Sequence, residues 1–172
     1  MATIIDSLIL EHGVFNSLFD AIKRLLPGLK TVDEVRLLGR VVESVLTHHA
    51  DAEQNLAYAA LDHALAEKGQ LDRLYQDHEE IDARFHQVQT ATSLGEAVKL
   101  LKAAIRSSQD HFRREERCVF PLFERLLGPA ALEALGNTAV RRSITGMPTI
   151  PAGIPLPASA FPVGDWKAPA VP

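Results

Sequence analysis

The sequence predicts an all-α fold, an up-down-up-down four-helix bundle carrying a proline-rich extended C-terminal tail. Three observations lead there. Through the first 127 of the 172 residues, apolar side chains recur at alternating spacings of three and four, the period of one helix face. The stripes are separated by short stretches rich in Pro, Gly and N-capping residues, and short connections make antiparallel neighbours. Seven of the ten prolines lie between Pro148 and Pro172, a composition that excludes helix there. The boundary falls at Gly136, giving a bundle over residues 1–136 and an extension over 137–172 that packs on the bundle or on a neighbouring subunit.

The first stripe is Ile5, Leu8, His12, Phe15, Phe19, Ile22 and Leu26, and Pro27-Gly28 stops it. Thr31-Val32-Asp33-Glu34 reads as a capping box opening the second helix, whose stripe runs Val35, Leu38, Val42, Val45, His49, Ala52 and Leu56. The segment from Tyr58 to Gly69 is helix-permissive and contains the next turn. A third stripe follows at Leu71, Leu74, His78, Ile81, Phe85 and Val88. Ser93-Leu94-Gly95-Glu96 is a second capping box, and the fourth stripe runs Ala97, Leu101, Ala104, Ser108, His111, Glu115, Cys118 and Leu122. Pro121 is expected to interrupt this helix late and kink it. Gly128-Pro129 closes it, with a short fifth helix from Pro129 to Leu135 before Gly136.

Each stripe carries one histidine where the pattern asks for a large apolar residue, and two of the four are followed by glutamate one turn later. The series is His12, His49-x-x-x-Glu53, His78, His111-x-x-x-Glu115. His12 and His49 lie 37 residues apart and His78 and His111 lie 33 apart, so the chain contains the same two-helix unit twice. Two helical hairpins related by a pseudo-twofold axis would bring both sets to one centre.

A single histidine on an apolar face is usually a core residue with one hydrogen bond. Four imidazoles and two carboxylates sharing one core are different, because each buried polar group without a partner costs roughly 1–3 kcal/mol. A transition metal removes the conflict, since neutral imidazole and carboxylate are its natural ligands. Residues four apart lie about 6 Å apart along a helix axis. His49 can therefore bind one ion while Glu53 reaches a second, and His111 and Glu115 repeat the arrangement. Structural zinc sites are usually mononuclear and closed, whereas a carboxylate-bridged bundle interior suits two iron or two manganese ions.

Composition narrows the class further. Hydrophobic residues make up 47% and charged residues 23%, as in an ordinary globular chain, and the net charge of -4 argues against a nucleic-acid partner. No apolar run approaches the roughly 20 residues of a membrane span, and the N-terminus lacks the pattern of a signal peptide. The single cysteine, Cys118, cannot form an internal disulfide, so a reducing, cytoplasmic setting is expected.

The segments Leu10-Glu11-His12, His48-His49-Ala50-Asp51-Ala52-Glu53, Asp77-His78-Glu79 and His111-Phe112-Arg113-Arg114-Glu115-Glu116, with Phe120-Pro121, resemble the hemerythrin-like, HHE cation-binding family. The resemblance covers roughly residues 4–127, leaves the proline-rich tail outside, and matches the H-HxxxE-H-HxxxE variant. It implies a non-heme centre of two iron ions, oxo- or hydroxo-bridged, that handles oxygen, peroxide or nitric oxide. Oxygen-carrying members of the family place a second histidine one turn after the first on helix three; here Asp82 stands at that position. The last carboxylate also follows His111 by four residues rather than five. A missing imidazole leaves room for exogenous ligand unless Asp82 fills the position, and either outcome argues against reversible oxygen carriage.

The expected function is therefore that of a peroxide-consuming, catalase- or peroxidase-like oxidoreductase with nitric oxide as a second candidate substrate. The metal ligands are His12, His49, Glu53, His78, His111 and Glu115, the two glutamates bridging. The alternative is a protein that binds or senses oxygen, nitric oxide or iron without turnover. Among other polar residues, His48 is expected in solvent or in a supporting hydrogen bond, His63 at the surface, His86 too far from His78 to share its ion, Glu79 and Glu116 beside the ligands or in solvent, and Cys118 facing inward. Tyr75, one turn before His78, is expected as an interfacial tyrosine within reach of the centre.

Overall fold

The computed structural model describes residues 2–65 and 69–145. Helix α1 spans Ile4–Leu25 and α2 spans Val32–Ala52. From α2 the chain continues through a π-helical segment, Glu53–Tyr58, into α3, Ala59–Ala64. Helix α4 spans Asp72–Thr90 and α5 spans Leu94–Arg114. A second π-helical segment, Glu115–Val119, leads into α6, Phe120–Leu126, and α7 spans Pro129–Thr145.

The helix starts follow from local chemistry. Thr3 and Asp6 close a capping box on α1, and Thr31 and Glu34 close the one expected on α2. At α5 the Ser93 hydroxyl accepts from the Glu96 amide, while the Glu96 carboxylate accepts from the Thr92 amide at 2.7 Å, one residue beyond the expected box. Gly69, in the left-handed region at φ 81°, turns the chain into α4. Pro129 opens α7 at a position that needs no amide donor.

Two apolar clusters fix how the helices run. One contains Phe19, Ile22, Val35, Val42, Ile81, Phe85, Leu101 and Ile105; the other contains Ile4, Leu8, Leu56, Leu61, Leu71, Leu74, Phe120 and Phe123. Helix α1 starts in the second cluster and ends in the first, and α2 with its continuation returns. Helix α4 goes out again and α5 comes back. This alternation is the up-down-up-down bundle expected from the stripes. Between the clusters each of α1, α2, α4 and α5, with Glu53 and Glu115 lying where α2 and α5 continue, contributes to a single polar layer: His12, His49 with Glu53, His78 and His111 with Glu115, all buried.

Three features differ from the sequence expectation. The helix after Pro129 does not stop before Gly136 but runs to Thr145, so the expected boundary between bundle and extension falls inside a helix. Gly136 is there for proximity: a Cβ on it would lie 2.7 Å from the Ala2 carbonyl oxygen and 2.9 Å from the Ile4 nitrogen, so α7 docks on the start of α1. Cys118 is exposed rather than inward-facing. The π-helical segment inserts one residue into the turn, so Val119 and Phe123 are buried where the 3.6-residue period places Cys118 and Leu122. Pro121 is accommodated at the same place, sitting at the start of α6 where the hydrogen-bond ladder changes. The remainder of the expected proline-rich extension, residues 146–172, lies outside the described residues.

Candidate metal centre

Both HxxxE motifs end where a π-helical segment begins, at Glu53 and at Glu115. Within each motif the four-residue spacing keeps His and Glu on one helix face, the wider turn follows the carboxylate, and such turns concentrate at functional positions. The repeat seen in the sequence thus carries through to the backbone, because each hairpin has the same deformation at the same place.

The six expected residues meet. Glu53 Oε1 lies 3.2 Å from His49 Nε2 and 3.6 Å from His12 Nε2, and Glu53 Oε2 lies 3.2 Å from His78 Nε2. Glu115 Oε2 lies 3.4 Å from both His111 Nε2 and His12 Nε2. Potential ligand atoms fall into two groups, His12–His49–Glu53 and Glu53–His78–His111–Glu115, sharing Glu53. Two ligand atoms each about 2.1 Å from one ion sit roughly 3–3.5 Å apart, so these separations suit metal coordination better than hydrogen bonding. The inward atoms are otherwise unsatisfied. His12 Nε2, His49 Nε2, His111 Nε2, both Glu53 oxygens and Glu115 Oε2 are buried without a hydrogen-bond partner.

The outer nitrogens are all engaged. His12 Nδ1 meets Glu116 Oε1 at 2.9 Å and His49 Nδ1 meets Glu11 Oε2 at 2.6 Å. His78 Nδ1 meets the Gln54 carboxamide at 2.7 Å and His111 Nδ1 meets Asp77 Oδ2 at 3.4 Å. Each supporting residue is the chain neighbour of a candidate ligand on one helix and holds the histidine of the next. The supports form a closed ring around the bundle: Glu11 on α1 to α2, Gln54 after α2 to α4, Asp77 on α4 to α5, Glu116 after α5 back to α1. A carboxylate accepting from Nδ1–H, as at His12, His49 and His111, leaves Nε2 as the inward electron-pair donor that a metal-binding histidine requires; at His78 the Gln54 carboxamide does the same when its oxygen is turned to Nδ1.

The electrostatics of the protein groups favour a cation here. Burial works against a charged His12, but the Glu115 and Glu53 carboxylates beside it raise its pKa to about 9. Burial likewise opposes charge on His49, and Glu53 with Glu11 outweighs it, raising the pKa to about 10. Burial would raise Glu53, yet the surrounding His49, His12 and His78 hold it well below the usual carboxylate range. His111 goes the other way: burial lowers its pKa and favours the neutral imidazole. His12 is also stacked on Phe112, with ring centroids 4.0 Å apart, which fixes its plane.

Four participants escaped the sequence reading. Glu11, Gln54 and Asp77 support histidines, and the signal available for them was adjacency to a ligand, the reasoning that correctly put Glu116 there. The fourth is Tyr58. Its fully buried hydroxyl donates to Glu115 Oε1, and its ring stacks on His78 at 5.7 Å. Burial and the Glu53 and Glu115 charges push its pKa up, so it keeps its proton to donate. Tyr75 is half-buried, as expected of an interfacial tyrosine, and packs edge-on against Tyr58 at 5.5 Å. His48, His63, His86 and Glu79 are exposed. Asp82 is exposed, belongs to neither donor group, and lines a small cavity beside His78.

No helix among the described residues is long and apolar enough to cross a membrane. No curated protein and no solved structure matches the chain. The family model for the hemerythrin HHE cation binding domain matches residues 3–123, a span that contains all six inward donors and all four of their supports. The chain belongs to the hemerythrin HHE cation-binding family.

Proposed function

We propose that this protein binds two non-heme iron ions and consumes hydrogen peroxide, two molecules giving two of water and one of oxygen, with nitric oxide as a second candidate substrate. The observation that carries the reading is Glu53: its two oxygens face different imidazoles, Oε1 toward His49 and His12 and Oε2 toward His78. A carboxylate so placed would be able to join two ions. In this reading His12 and His49 would hold one iron, His78 and His111 the other, and Glu53 and Glu115 would serve both.

Bound iron supplies the electron transfers that break an O–O bond. The chain's own residues do the rest. The ring of supports keeps the four Nε2 atoms pointed inward. Tyr58 ties down one oxygen of Glu115 and leaves the other facing His12 and His111. Apolar clusters on either side exclude bulk water. Three and four protein donors per group leave coordination positions free on ions that commonly take about six ligands. Asp82 stands off from the donors, so peroxide consumption fits better than carriage of oxygen at a single open position. Iron is preferred to zinc because two donor groups that share a carboxylate suit a bridged pair better than a closed tetrahedral site. The exposed Cys118 thiol fits a reducing compartment.

The test is to load the purified chain with ferrous iron in air, quantify bound metal, and follow evolved oxygen after adding hydrogen peroxide. Two irons per chain with sustained oxygen evolution, both lost in His111→Ala, is the expected result. Two irons that bind small ligands without turnover would make the protein a carrier or sensor. Retention of two irons by His111→Ala would remove that histidine from the centre.

A further inference from the structure

Over its middle, α1 is apolar on both faces. Its inward face carries Leu8, Phe15, Phe19 and Ile22, all buried. On the opposite face Leu10 is 70% exposed and Val14, one turn further on, is 60% exposed, with Ile9 exposed beside them. Between Asp6 and Asp20 the helix has one charged side chain apart from the buried His12, and that one, Glu11, is held by His49. Gly13 stands in the same patch, inside a helix where glycine costs about 1 kcal/mol relative to alanine. A Cβ on Gly13 would meet nothing within 4 Å, so no contact among the described residues requires a glycine there. Ser17, one turn later, donates its hydroxyl to the Gly13 carbonyl at 2.9 Å and so asks for no outside partner. Side-chain lengths make this a shallow notch, with Gly13 and Ser17 as its floor and Ile9, Leu10 and Val14 as its rim. Apolar residues scattered singly on a surface are ordinary; three grouped around an uncharged notch mark a surface that binds something.

The chain itself brings an occupant to this place. Helix α7 docks at Gly136 beside Ala2, Thr3 and Ile4 and ends at Thr145. Residues 146–172 follow, with only Asp165 and Lys167 charged and with Leu156, Phe161 and Trp166 among their apolar side chains. At 1.5 Å per helical residue, the path from Thr145 back to Gly136 and along α1 to Val14 is at most about 35 Å. An extended proline-rich chain advances about 3.1 Å per residue and covers that path in roughly eleven residues, so Leu156 and everything after it can reach the notch. An apolar segment with so little charge complements a face with none. Attachment to the same chain supplies an effective concentration of about millimolar, which a second molecule would have to match.

We propose that residues 156–166 dock on the outward face of α1 across Gly13, with Phe161 and Trp166 covering Leu10 and Val14. The surface lies on the side of α1 away from the donor layer, so the proposal does not depend on what the centre binds.

Trp166 is the one tryptophan of the chain, so its fluorescence reads this contact without interference. In the full chain its emission is expected to be blue-shifted and poorly quenched by acrylamide. Leu10→Asp/Val14→Asp should move the emission to the red and raise the quenching constant severalfold, with the helical circular dichroism unchanged. Val41→Asp, at an exposed apolar position on α2, should move neither. A second measurement leaves the bundle unaltered: with benzoylphenylalanine in place of Phe161, illumination should cross-link the full chain to its own N-terminal tryptic peptide, the one ending at Lys23. Emission and quenching indifferent to Leu10→Asp/Val14→Asp would overturn the proposal. So would cross-links confined to other helices, or cross-links joining two chains, which would make this face an interface between copies.

Discussion

Glu53→Gln is the most informative single substitution. The glutamine has the shape of the glutamate, so packing in this fully buried position is retained. Its carboxamide keeps one oxygen that can accept an N–H from His49 and gains an NH2 that can donate to a neutral His78, over the 3.2 Å separations already present, so the metal-stripped variant is expected to fold. What it loses is the negative charge shared by both donor groups. A ligand at a hundredfold excess over its dissociation constant stabilises the native state by about 2.7 kcal/mol, so two ions contribute about 5 kcal/mol. At about 2–4 °C per kcal/mol for a chain of this size, loading should raise the parent's melting temperature by roughly 10–20 °C. In Glu53→Gln the His12–His49 group keeps two imidazoles with Glu115 as the one carboxylate still facing His12, and the increment should fall to about half or less, with iron dropping to one ion per chain or none. Differential scanning calorimetry of stripped and loaded samples, paired with metal analysis, reads both quantities. His48→Ala, at an exposed histidine one residue from His49, serves as control and should behave as the parent. A Glu53→Gln protein that binds two irons with the full increment would refute the shared-carboxylate argument.

The pH dependence of the metal-stripped protein follows from His12 and His49. Their native pKa values of about 9 and about 10 lie above the ordinary 6.5. The stabilisation they give is complete below pH 6.5 and is lost as pH rises through 9 to 10; denaturant midpoints that stay flat from pH 6 to 10.5 would contradict this. Because metal requires both imidazoles neutral, loading at pH 7 should release about two protons, measurable by calorimetry in buffers of different ionisation enthalpy. Gly136→Ala places a Cβ 2.7 Å from the Ala2 carbonyl oxygen and Thr3 carbonyl carbon, where rigid backbone cannot yield. The expected cost is about 1–2 kcal/mol in thermal unfolding, after the helix-propensity gain, with iron binding unchanged. Tyr58→Phe removes the donor to Glu115 Oε1 and should cost about 1–3 kcal/mol while speeding loss of iron to a chelator. Unchanged stability and iron retention would mean that the hydroxyl positions nothing.

What could be read from the sequence was whatever obeys a constant period. The α1 and α4 stripes are buried residue for residue, from Ile5 to Leu26 and from Leu71 to Val88, because those helices are regular throughout. The inward donors were legible for the same reason: a polar residue at an apolar register position stands out, and six of them in a doubled pattern define a layer. Where the period changes, the reading fails. A π-helical segment adds one residue to a turn, and no local residue type announces it, so the register after Glu115 shifts and Cys118 turns out to solvent while Val119 turns in. Gly136 illustrates a different limit. In sequence a glycine late in a helix reads as a stop, and only the docking of α7 on the first residues of the chain reveals it as a contact.

The ring of supports was hidden for a reason that geometry supplies. Neighbours in an α-helix point about 100° apart, so the residue beside an inward ligand faces the adjacent helix rather than the core or open solvent. Considered on its own helix, Glu11 or Asp77 belongs to the polar face and invites no comment. Its partner lies 38 residues away for Glu11 and 34 for Asp77, one helix further round the bundle. Once the donor layer is known, the four positions could have been derived, because a bundle wound in one direction gives each helix one flank toward its successor. The same reasoning makes the ring a consequence of the repeat: a twofold that exchanges His12 with His78 must also exchange Glu116 with Gln54. That Gln54 alone lacks a charge is therefore a departure from the symmetry of the chain's own design, located on a side chain in contact with the candidate ligand His78. An asymmetry confined to one atom type at that position changes how strongly one imidazole donates while leaving the packing of the bundle as it was.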